Sequence, residues 1–189
     1  MNPVKRIFVV ALGMLKAPSE TFEAIGSETV LHAFACLLVV GAVTAFLTPV
    51  QLYLGFEDVN GLHAGGQAEV LAKDVSTWCQ LSVVWRPFLI EASYMIILLF
   101  TTGYLHVILK IVGGKGSING TLKMIAYGDA PGLLFGWIPY FATVSAVWAA
   151  VIQLFIGPVV LHKISWARAS VIFSSLVGLG IIEIALSPR

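Results

Sequence analysis

The sequence predicts an all-α protein, a polytopic transmembrane helical bundle of about five spans, with the N-terminus inside and the C-terminus outside. Hydrophobic residues make up 58% of the 189 residues and charged residues 11%, against about 25% charged residues in a typical soluble domain. The apolar runs continue for about 20 residues, which is the length an α-helix needs to cross a bilayer. Strands of a transmembrane barrel would alternate apolar and polar residues instead.

The composition also argues against several functions. The formal charge is +1, and no basic stripe with interleaved aromatic residues is present, so nucleic acid is not expected as a partner. The two cysteines are too few for a disulfide framework. Because the bilayer is expected to separate Cys36 in the first span from Cys79 in the following loop, no bridge between them is predicted.

Residues 1–29 are predicted to form an N-terminal interfacial amphipathic helix and a lead-in to the bundle. The apolar run from Ile7 to Leu15 is too short to cross a bilayer. Cations border it on both sides, and they suit the anionic headgroup layer. A second short helix is expected to start near Pro18 and to end at Gly26. A signal peptide is the alternative for the apolar run, but no small-x-small cleavage site follows it.

The remaining residues, 30–189, are predicted to form a five-helix transmembrane domain. Its spans are Val30–Leu54, Pro87–Ile111, Leu122–Ile138, Phe141–Leu161 and Trp166–Leu186. The third and fourth spans are short, and we expect a tight turn at Pro139 between them, since Trp137 and Tyr140 beside it prefer the membrane interface. The alternative is a third segment that re-enters the membrane from one side.

Lysine and arginine are distributed unequally over the two sides of these spans. With the N-terminus inside, eight lie inside and three outside, so the positive-inside rule favours this orientation. The inner set is Lys5, Arg6, Lys16, Lys110, Lys115, Lys123, Lys163 and Arg168, and the outer set is Lys73, Arg86 and Arg189. The loop 55–86 then lies outside, where Ala68–Trp78 is expected to form an amphipathic surface helix.

Carboxylates inside the predicted spans are candidates for an intramembrane polar site. An ionised side chain at a helix centre costs at least about 2.5 kcal/mol in a membrane, so it needs a partner or a function. Glu91 lies about one turn inside the second span, with Tyr94 on the same helix face. Asp129 closely follows Tyr127, and the glycines and proline around it predict a helix break. The residues of the predicted breaks are Gly128, Pro131 and Pro139.

Each carboxylate has a structural and a functional interpretation. Glu91 would reach the outer headgroups or pair with Arg86, or it would bind a proton or cation within the bundle. Asp129 would cap the helix that restarts beyond the break, or the break would line a cavity. Glu183 is expected to extend to the outer interface. The structural interpretation is favoured for all three carboxylates.

Signatures of catalysis and metal binding are absent from the sequence, so no catalytic residue, metal or cofactor is predicted, and the protein is not expected to be an enzyme. His106 and His162 lie near the inner ends of two spans, without a further ligand at metal-binding spacing. The stretch Gly113–Gly116 lacks the Ser or Thr that follows the lysine of a phosphate-binding loop, and we expect it to be a flexible inner loop.

Lipids and other proteins are the expected partners. Small residues at four-residue spacing would allow close helix packing within the bundle, in a homodimer or in a larger membrane complex. These pairs are Gly41 and Ala45, Ser145 and Ala149, and Ser174 and Gly178. The inner cations expected to contact lipids or partners are Lys5, Arg6, Lys16, Lys115, Lys123, Lys163 and Arg168.

Several of these motifs, read in order, resemble the prokaryotic branch of the Yip family. They are the glycine-rich inner loop with Leu122-Lys123, then Tyr127, Pro131, Ile138-Pro139, Trp148, Gly157, His162-Lys163-Ile164-Ser165 and Ala167. The segment Pro18–Ile25 is similar to the family's lead-in to its first span. The resemblance implies a five-span Yip domain with an inner N-terminus. Eukaryotic relatives interact with Rab-type GTPases, but their long cytosolic N-terminal region has no counterpart in this sequence, so GTPase binding is not expected.

Two functions remain open from the sequence. The first is a non-enzymatic protein of the prokaryotic cytoplasmic membrane that binds or organises partners and lipids, and it predicts that Glu91 and Asp129 tolerate replacement by Gln and Asn. The second is a channel or transporter for protons, cations or small solutes, with both carboxylates facing one water-filled cavity. The basic inner loops and the family resemblance favour the first.

Overall fold

The structure, a computed structural model, describes residues 3–53, 85–135, 138 and 141–186. Every regular element in these ranges is helical, which confirms the predicted all-α class. The elements are α1 (Pro3–Lys16), α2 (Pro18–Ile25), α3 (Val30–Tyr53), α4 (Arg86–Ile111), α5 (Ile118–Phe135), α6 (Phe141–Val151), a π-helix (Ile152–Ile156), α7 (Gly157–His162) and α8 (Trp166–Leu186).

Two segments of the described chain, Phe88–Ile111 and Val144–His162, are long and apolar enough to cross a membrane. Shorter apolar helices occur at Val30–Val43 and Trp166–Leu179. Large apolar side chains cover the outward surface of the first of these segments, where Phe100 is 77% exposed. Such a surface is unfavourable in water and suits contact with lipid chains.

The helix break predicted at Gly128 and Pro131 is wrong, because α5 runs without interruption through both residues. Gly128 instead permits close packing, since a Cβ atom there would lie 2.7 Å from Cγ of Gln153. The helix also starts before the predicted Leu122, because Ser117 caps it by accepting a hydrogen bond from the Gly120 N–H at 3.3 Å. Almost every side chain from Thr121 to Leu134 is buried, so α5 is the central helix of the bundle.

The predicted fourth span is helical from Phe141 to His162, but its hydrogen-bond register changes along the way. A π-helix at Ile152–Ile156 separates α6 from α7, and Pro158 follows in the first turn of α7. Proline has no N–H and crowds the carbonyl four residues earlier, and a local π turn relieves this conflict. The π turn also carries Gln153 toward α5, to whose Ile125 carbonyl it donates a hydrogen bond at 3.4 Å.

The N-terminal helices pack against the bundle and against each other. The short helix predicted near Pro18 is α2, and it ends before Gly26 as expected. The helix predicted to lie along the headgroups is α1. It buries one face against α5, and Trp148 donates a hydrogen bond from Nε1 to the Met14 carbonyl at 3.1 Å. The apolar side chains buried in these two helices are Val10, Ala11, Met14, Phe22 and Ile25.

The outward face of α1 is apolar as well. Phe8, Val9 and Leu12 are 46%, 50% and 43% exposed. An apolar face that remains outside the bundle suits insertion among lipid chains. α1 thus packs on the protein with one face and exposes apolar side chains on the other, and its location along the headgroups stays a prediction.

Several predictions lie outside the described residues. They concern the outer loop with its helix Ala68–Trp78, Cys79, the turn at Pro139 with Trp137 and Tyr140, and the side chains of Arg86, Glu183 and Arg189.

Candidate polar sites in the helical bundle

A hydrogen-bonded network joins three helices through Asp129. Its Oδ2 accepts a hydrogen bond from the Tyr94 hydroxyl of α4 at 2.7 Å, and its Oδ1 accepts one from Nε2 of Gln153 in the π-helix at 2.5 Å. The predicted N-cap role of Asp129 is wrong, because the residue lies within the continuous α5. Its carboxylate instead supplies the acceptors that two otherwise buried donors require.

Glu91 lies between α3 and α4, with its carboxylate directly against the backbone of Gly41. A Cβ atom at position 41 would lie 2.7 Å from Oε1 of Glu91, so Gly41 provides the space that this carboxylate occupies. Oε1 is buried and has no hydrogen-bond partner among the described residues. Gly41 was predicted to allow close helix packing, and the space beside it holds the Glu91 carboxylate. A buried carboxylate is stable in apolar surroundings only with a bound proton or a paired cation.

A second polar network holds the N-terminal helices. Glu28 forms an ion pair with Arg6 of α1 and accepts a hydrogen bond from the Tyr127 hydroxyl of α5 at 2.8 Å. Nζ of Lys123 donates to the Gly26 carbonyl at 2.8 Å. The hydrogen bond and the charge of Glu28 raise the pKa of the Arg6 guanidinium, so Arg6 stays charged in this pair. We name Arg6, Glu28 and Tyr127 the N-terminal latch.

A third network joins α4, α5 and α7 through the Thr121 hydroxyl. The Thr121 hydroxyl lies 2.8 Å from Nδ1 of His106 and 3.0 Å from Nε2 of His162, so the two histidines that seemed unrelated in the sequence share one hydroxyl. The glycine-rich loop, predicted to be flexible, packs on His162. A Cβ atom at Gly116 would lie 2.5 Å from Nδ1 of His162, and the Lys115 N–H donates to the His162 carbonyl at 2.9 Å.

The predicted inner cations fall into two groups. Lys5, Lys16, Lys115, Lys163 and Arg168 have exposed side chains.

The other two cations, Lys123 and Arg6, are bound within the protein. Lys123 is 7% exposed and bonds to the Gly26 carbonyl, and Arg6 is paired with Glu28. The prediction that Lys123 contacts lipid or a partner is therefore wrong, because this side chain lies under the loop between α2 and α3.

The small residues predicted to allow close packing differ in burial from pair to pair. Ser145 and Ala149 are buried, whereas a Cβ atom at Gly178 would meet open space. Ser174, four residues before Gly178, is exposed. The side chain of Ala45 lies outside the described residues.

Three residues of these networks were not singled out in the sequence. Gln153 is the only amide side chain between Met124 and Val160, and that isolation within an apolar run is a usable signal. Glu28 stands just before the first span, where its partner Arg6 is too distant in sequence to be inferred. Thr121 gave no signal, because a threonine is common in membrane helices.

The described residues hold no cluster of three or more histidine, cysteine, aspartate or glutamate side chains that could bind a metal ion. Together the three networks connect the N-terminal helices, the bundle centre and the end of the bundle at Thr121 and His162.

Comparison with known proteins identifies the family. The model of the Yip1 domain matches residues 12–186, from the second half of α1 to the end of α8. A search of curated proteins and a search of solved structures each gave no match. The matched region includes both segments that are long and apolar enough to cross a membrane. The protein is a membrane protein, and its chain belongs to the Yip1 domain family.

Proposed function

We propose that this protein is a non-enzymatic member of the prokaryotic branch of the family, which crosses the cytoplasmic membrane about five times with its N-terminus inside. Its role is to bind anionic lipids and protein partners at its inner face and so to organise the surrounding membrane. The exposed cations at one end of the helices are the observation that carries this proposal.

Hydrogen bonds between two loops and α8 bring three of these cations together. The Lys115 N–H donates to the carbonyl of His162, which is the neighbour of Lys163. Nη1 of Arg168 donates to the Val112 carbonyl at 2.9 Å, three residues before Lys115. These contacts gather Lys115, Lys163 and Arg168, which we name the basic patch. A cluster of this kind attracts phosphate groups at a membrane surface.

The outward side of α1 supports the same function. Its exposed Phe8, Val9 and Leu12 offer apolar contact with lipid chains, and the exposed Lys5 and Lys16 lie near its two ends. A helix with apolar side chains between terminal lysines binds an anionic leaflet through both burial and charge. The latch and Trp148 hold this helix against the bundle, so the same helix contacts both the bundle and the lipid.

We expect the variant Lys115→Gln/Lys163→Gln/Arg168→Gln to lose selectivity for anionic lipid. Each basic residue near an anionic surface contributes about 1 kcal/mol, so loss of three predicts a decrease of up to about 100-fold at low salt. The measurement is the ratio of phosphatidylglycerol to phosphatidylcholine that copurifies from mixed nanodiscs or micelles, quantified by mass spectrometry. Added salt should reduce the wild-type ratio.

The control is Lys115→Arg/Lys163→Arg/Arg168→Lys, which retains every charge and should keep the wild-type ratio. Equal selectivity of the neutral variant and the wild type would overturn the lipid-binding role of the basic patch. A lost ratio in the charge-preserving variant would assign the effect to local structure instead.

A proton or cation pathway is the second candidate, and it is favoured by the buried oxygen of Glu91, which has no hydrogen-bond partner in the described part of the chain. Tyr94, three residues from Glu91, bonds to Asp129, so the two carboxylates face the same part of the bundle. If the organising role is correct, liposomes containing the wild-type protein should show no proton or potassium flux above empty liposomes, with or without Glu91→Gln. The assay would use a pH-sensitive dye inside the vesicles.

Flux in the wild type that Glu91→Gln abolishes would favour the pathway. The matched control is Glu20→Gln, an exposed carboxylate of α2 whose replacement should leave any flux unchanged.

A further inference from the structure

The two histidines of the third network and the threonine between them form hydrogen bonds that run in one direction. Nδ1 of His106 and Nε2 of His162 lie 2.8 Å and 3.0 Å from the same Thr121 hydroxyl. A hydroxyl carries one proton, so it donates to one ring at most, and at least one ring must donate to it. We name His106, Thr121 and His162 the histidine relay.

The second nitrogen of His162 indicates which tautomer this ring adopts. His162 is 0% exposed, and its Nδ1 has no hydrogen-bond partner among the described residues. A Cβ atom at Gly116 would lie 2.5 Å from this nitrogen, and in glycine a hydrogen atom points in that direction. A lone pair tolerates a C–H group there, whereas an N–H proton would collide with it and lack an acceptor. Neutral His162 therefore carries its proton on Nε2, which donates to Thr121.

The hydroxyl of Thr121 continues the same direction toward His106. A helical threonine can instead donate to the carbonyl one turn earlier. That carbonyl belongs to Ser117, and it already accepts the N–H groups of Gly120 at 3.0 Å and Thr121 at 3.2 Å. Because a carbonyl has two lone pairs, the hydroxyl proton goes to Nδ1 of His106. Neutral His106 then holds its own proton on Nε2.

A proton added to Nδ1 of His106 disrupts the histidine relay. Both rings would then direct N–H groups at Thr121, and the hydroxyl proton would be buried without an acceptor. The ring of His106 is half-buried, so protons can reach it, whereas Thr121 and His162 are both 0% exposed. His106 is therefore the member of the relay at which pH acts.

The charged groups around the histidine relay are mostly cations. Lys110, one turn after His106 on α4, acts on both rings. The cations on the other elements here are Lys123 on α5, Lys115 in the glycine-rich loop, Lys163 after α7 and Arg168 on α8. The carboxylates of α2, which packs on α7, belong to Glu20 and Glu23, and both side chains are exposed. The packed arrangement thus suits a neutral His106.

The packing of His162 also holds two cations of the basic patch. The Lys115 N–H donates to the His162 carbonyl at 2.9 Å. The residue after His162, Lys163, has a left-handed backbone with a φ of 56°. A residue other than glycine keeps this strained conformation only when its surroundings hold it there. Displacement of His162 should therefore release Lys115 and Lys163 together.

We propose that protonation of His106 opens the contact between α4, α5 and α7 and releases the loop segments that carry Lys115 and Lys163. The basic patch then keeps its arrangement at neutral pH and loses it at acidic pH. The opening does not depend on lipid, whereas its consequence, control of lipid binding by pH, rests on the proposed function.

The test is hydrogen exchange at the Lys115 amide between about pH 8 and about pH 5, measured by NMR in micelles. The result is expressed as a protection factor, which removes the intrinsic effect of pH on exchange. A free imidazole titrates at about pH 6.5. If only the open form binds the proton, the protection factor should be constant above that pH and should decrease about 30-fold by about pH 5.

Two variants separate His106 from other titrating groups. His106→Asn keeps an oxygen that accepts from Thr121 but cannot take up a proton, so its protection factor should not change with pH. His32→Asn removes an exposed histidine of α3 and should retain the wild-type pH dependence. The proposal is overturned if protection in the wild type is independent of pH, or if the dependence persists in His106→Asn.

A second measurement covers the case in which His106→Asn fails to fold. Nitrogen chemical shifts of isotope-labelled histidine in the wild type show which ring nitrogens carry protons. At neutral pH, His162 should carry its proton on Nε2 and His106 should have an unprotonated Nδ1. A proton on Nδ1 of either ring at that pH would refute the direction of the relay.

The switch and the proposed function fail separately. Protection that depends on pH, with equal lipid selectivity in the wild type and the neutral basic-patch variant, contradicts the lipid role alone. Lipid selectivity that requires the basic patch, with protection independent of pH, contradicts the switch alone.

Discussion

Asp129→Ala is expected to destabilise the bundle strongly, whereas Asp129→Asn is expected to be tolerated. Alanine leaves the Tyr94 hydroxyl without an acceptor and leaves the Gln153 amide only its longer bond of 3.4 Å to the Ile125 carbonyl. An unsatisfied buried donor costs about 1–3 kcal/mol, so the loss should be at least of that size. Asparagine keeps an oxygen for Tyr94, and the Gln153 amide can turn to accept from its NH₂ group, so the loss should stay below about 1 kcal/mol.

The free energy of unfolding in mixed micelles, measured by denaturant titration, tests this difference. Glu20→Ala is the control, because Glu20 is exposed on α2 and its loss should change little. If Asp129→Ala and Asp129→Asn have the same stability, the network does not hold the three helices together. A large difference between the two variants would bear on function as well. It would assign Asp129 a structural role, and the pathway candidate would then lose one of its two carboxylates.

The extent of the helices could be predicted well, because it depends on the length of apolar runs. The sequence placed the start of α3 at Val30, the end of α4 at Ile111 and the start of α8 at Trp166, as the structure does. It failed at Gly128 and Pro131, where local propensity predicts a break. Packing around α5 decides that position instead, since Gly128 brings α5 close to Gln153 and the bundle tolerates the missing N–H of proline.

The polar networks were harder to foresee, because their partners are distant in sequence. Tyr94 and Asp129 are 35 residues apart, and Thr121 and His162 are 41 apart. Asp129 and His162 could be recognised as unusual in a membrane segment, but the partner of each depends on which helix faces cross. The contact of α1 with α5 was not foreseen for the same reason, since an apolar pattern predicts an amphipathic helix but not what its buried face meets.

Glu28→Gln is expected to release α1, and Cys36 provides a direct measure of that release. Cys36 is 2% exposed and lines a small cavity of about 50 Å³ beneath α1, together with Arg6, Glu28 and Tyr127. Cys79→Ser leaves Cys36 as the single thiol of the chain. In that background, loss of the ion pair should increase the rate of maleimide labelling at least about tenfold, since labelling follows the population of the open form.

The charge reversal Arg6→Glu/Glu28→Arg should restore slow labelling, because it rebuilds the pair with its ends exchanged and the new arginine can still bond to the Tyr127 hydroxyl. Each single reversal should label quickly, since two like charges would then face each other. Lys5→Glu is the matched control, as Lys5 is the exposed neighbour of Arg6. Slow labelling in both single reversals would mean that apolar contacts of Val10, Ala11 and Met14 hold α1 without the latch. Fast labelling in the double reversal would show that Glu28 acts through its local geometry rather than its charge.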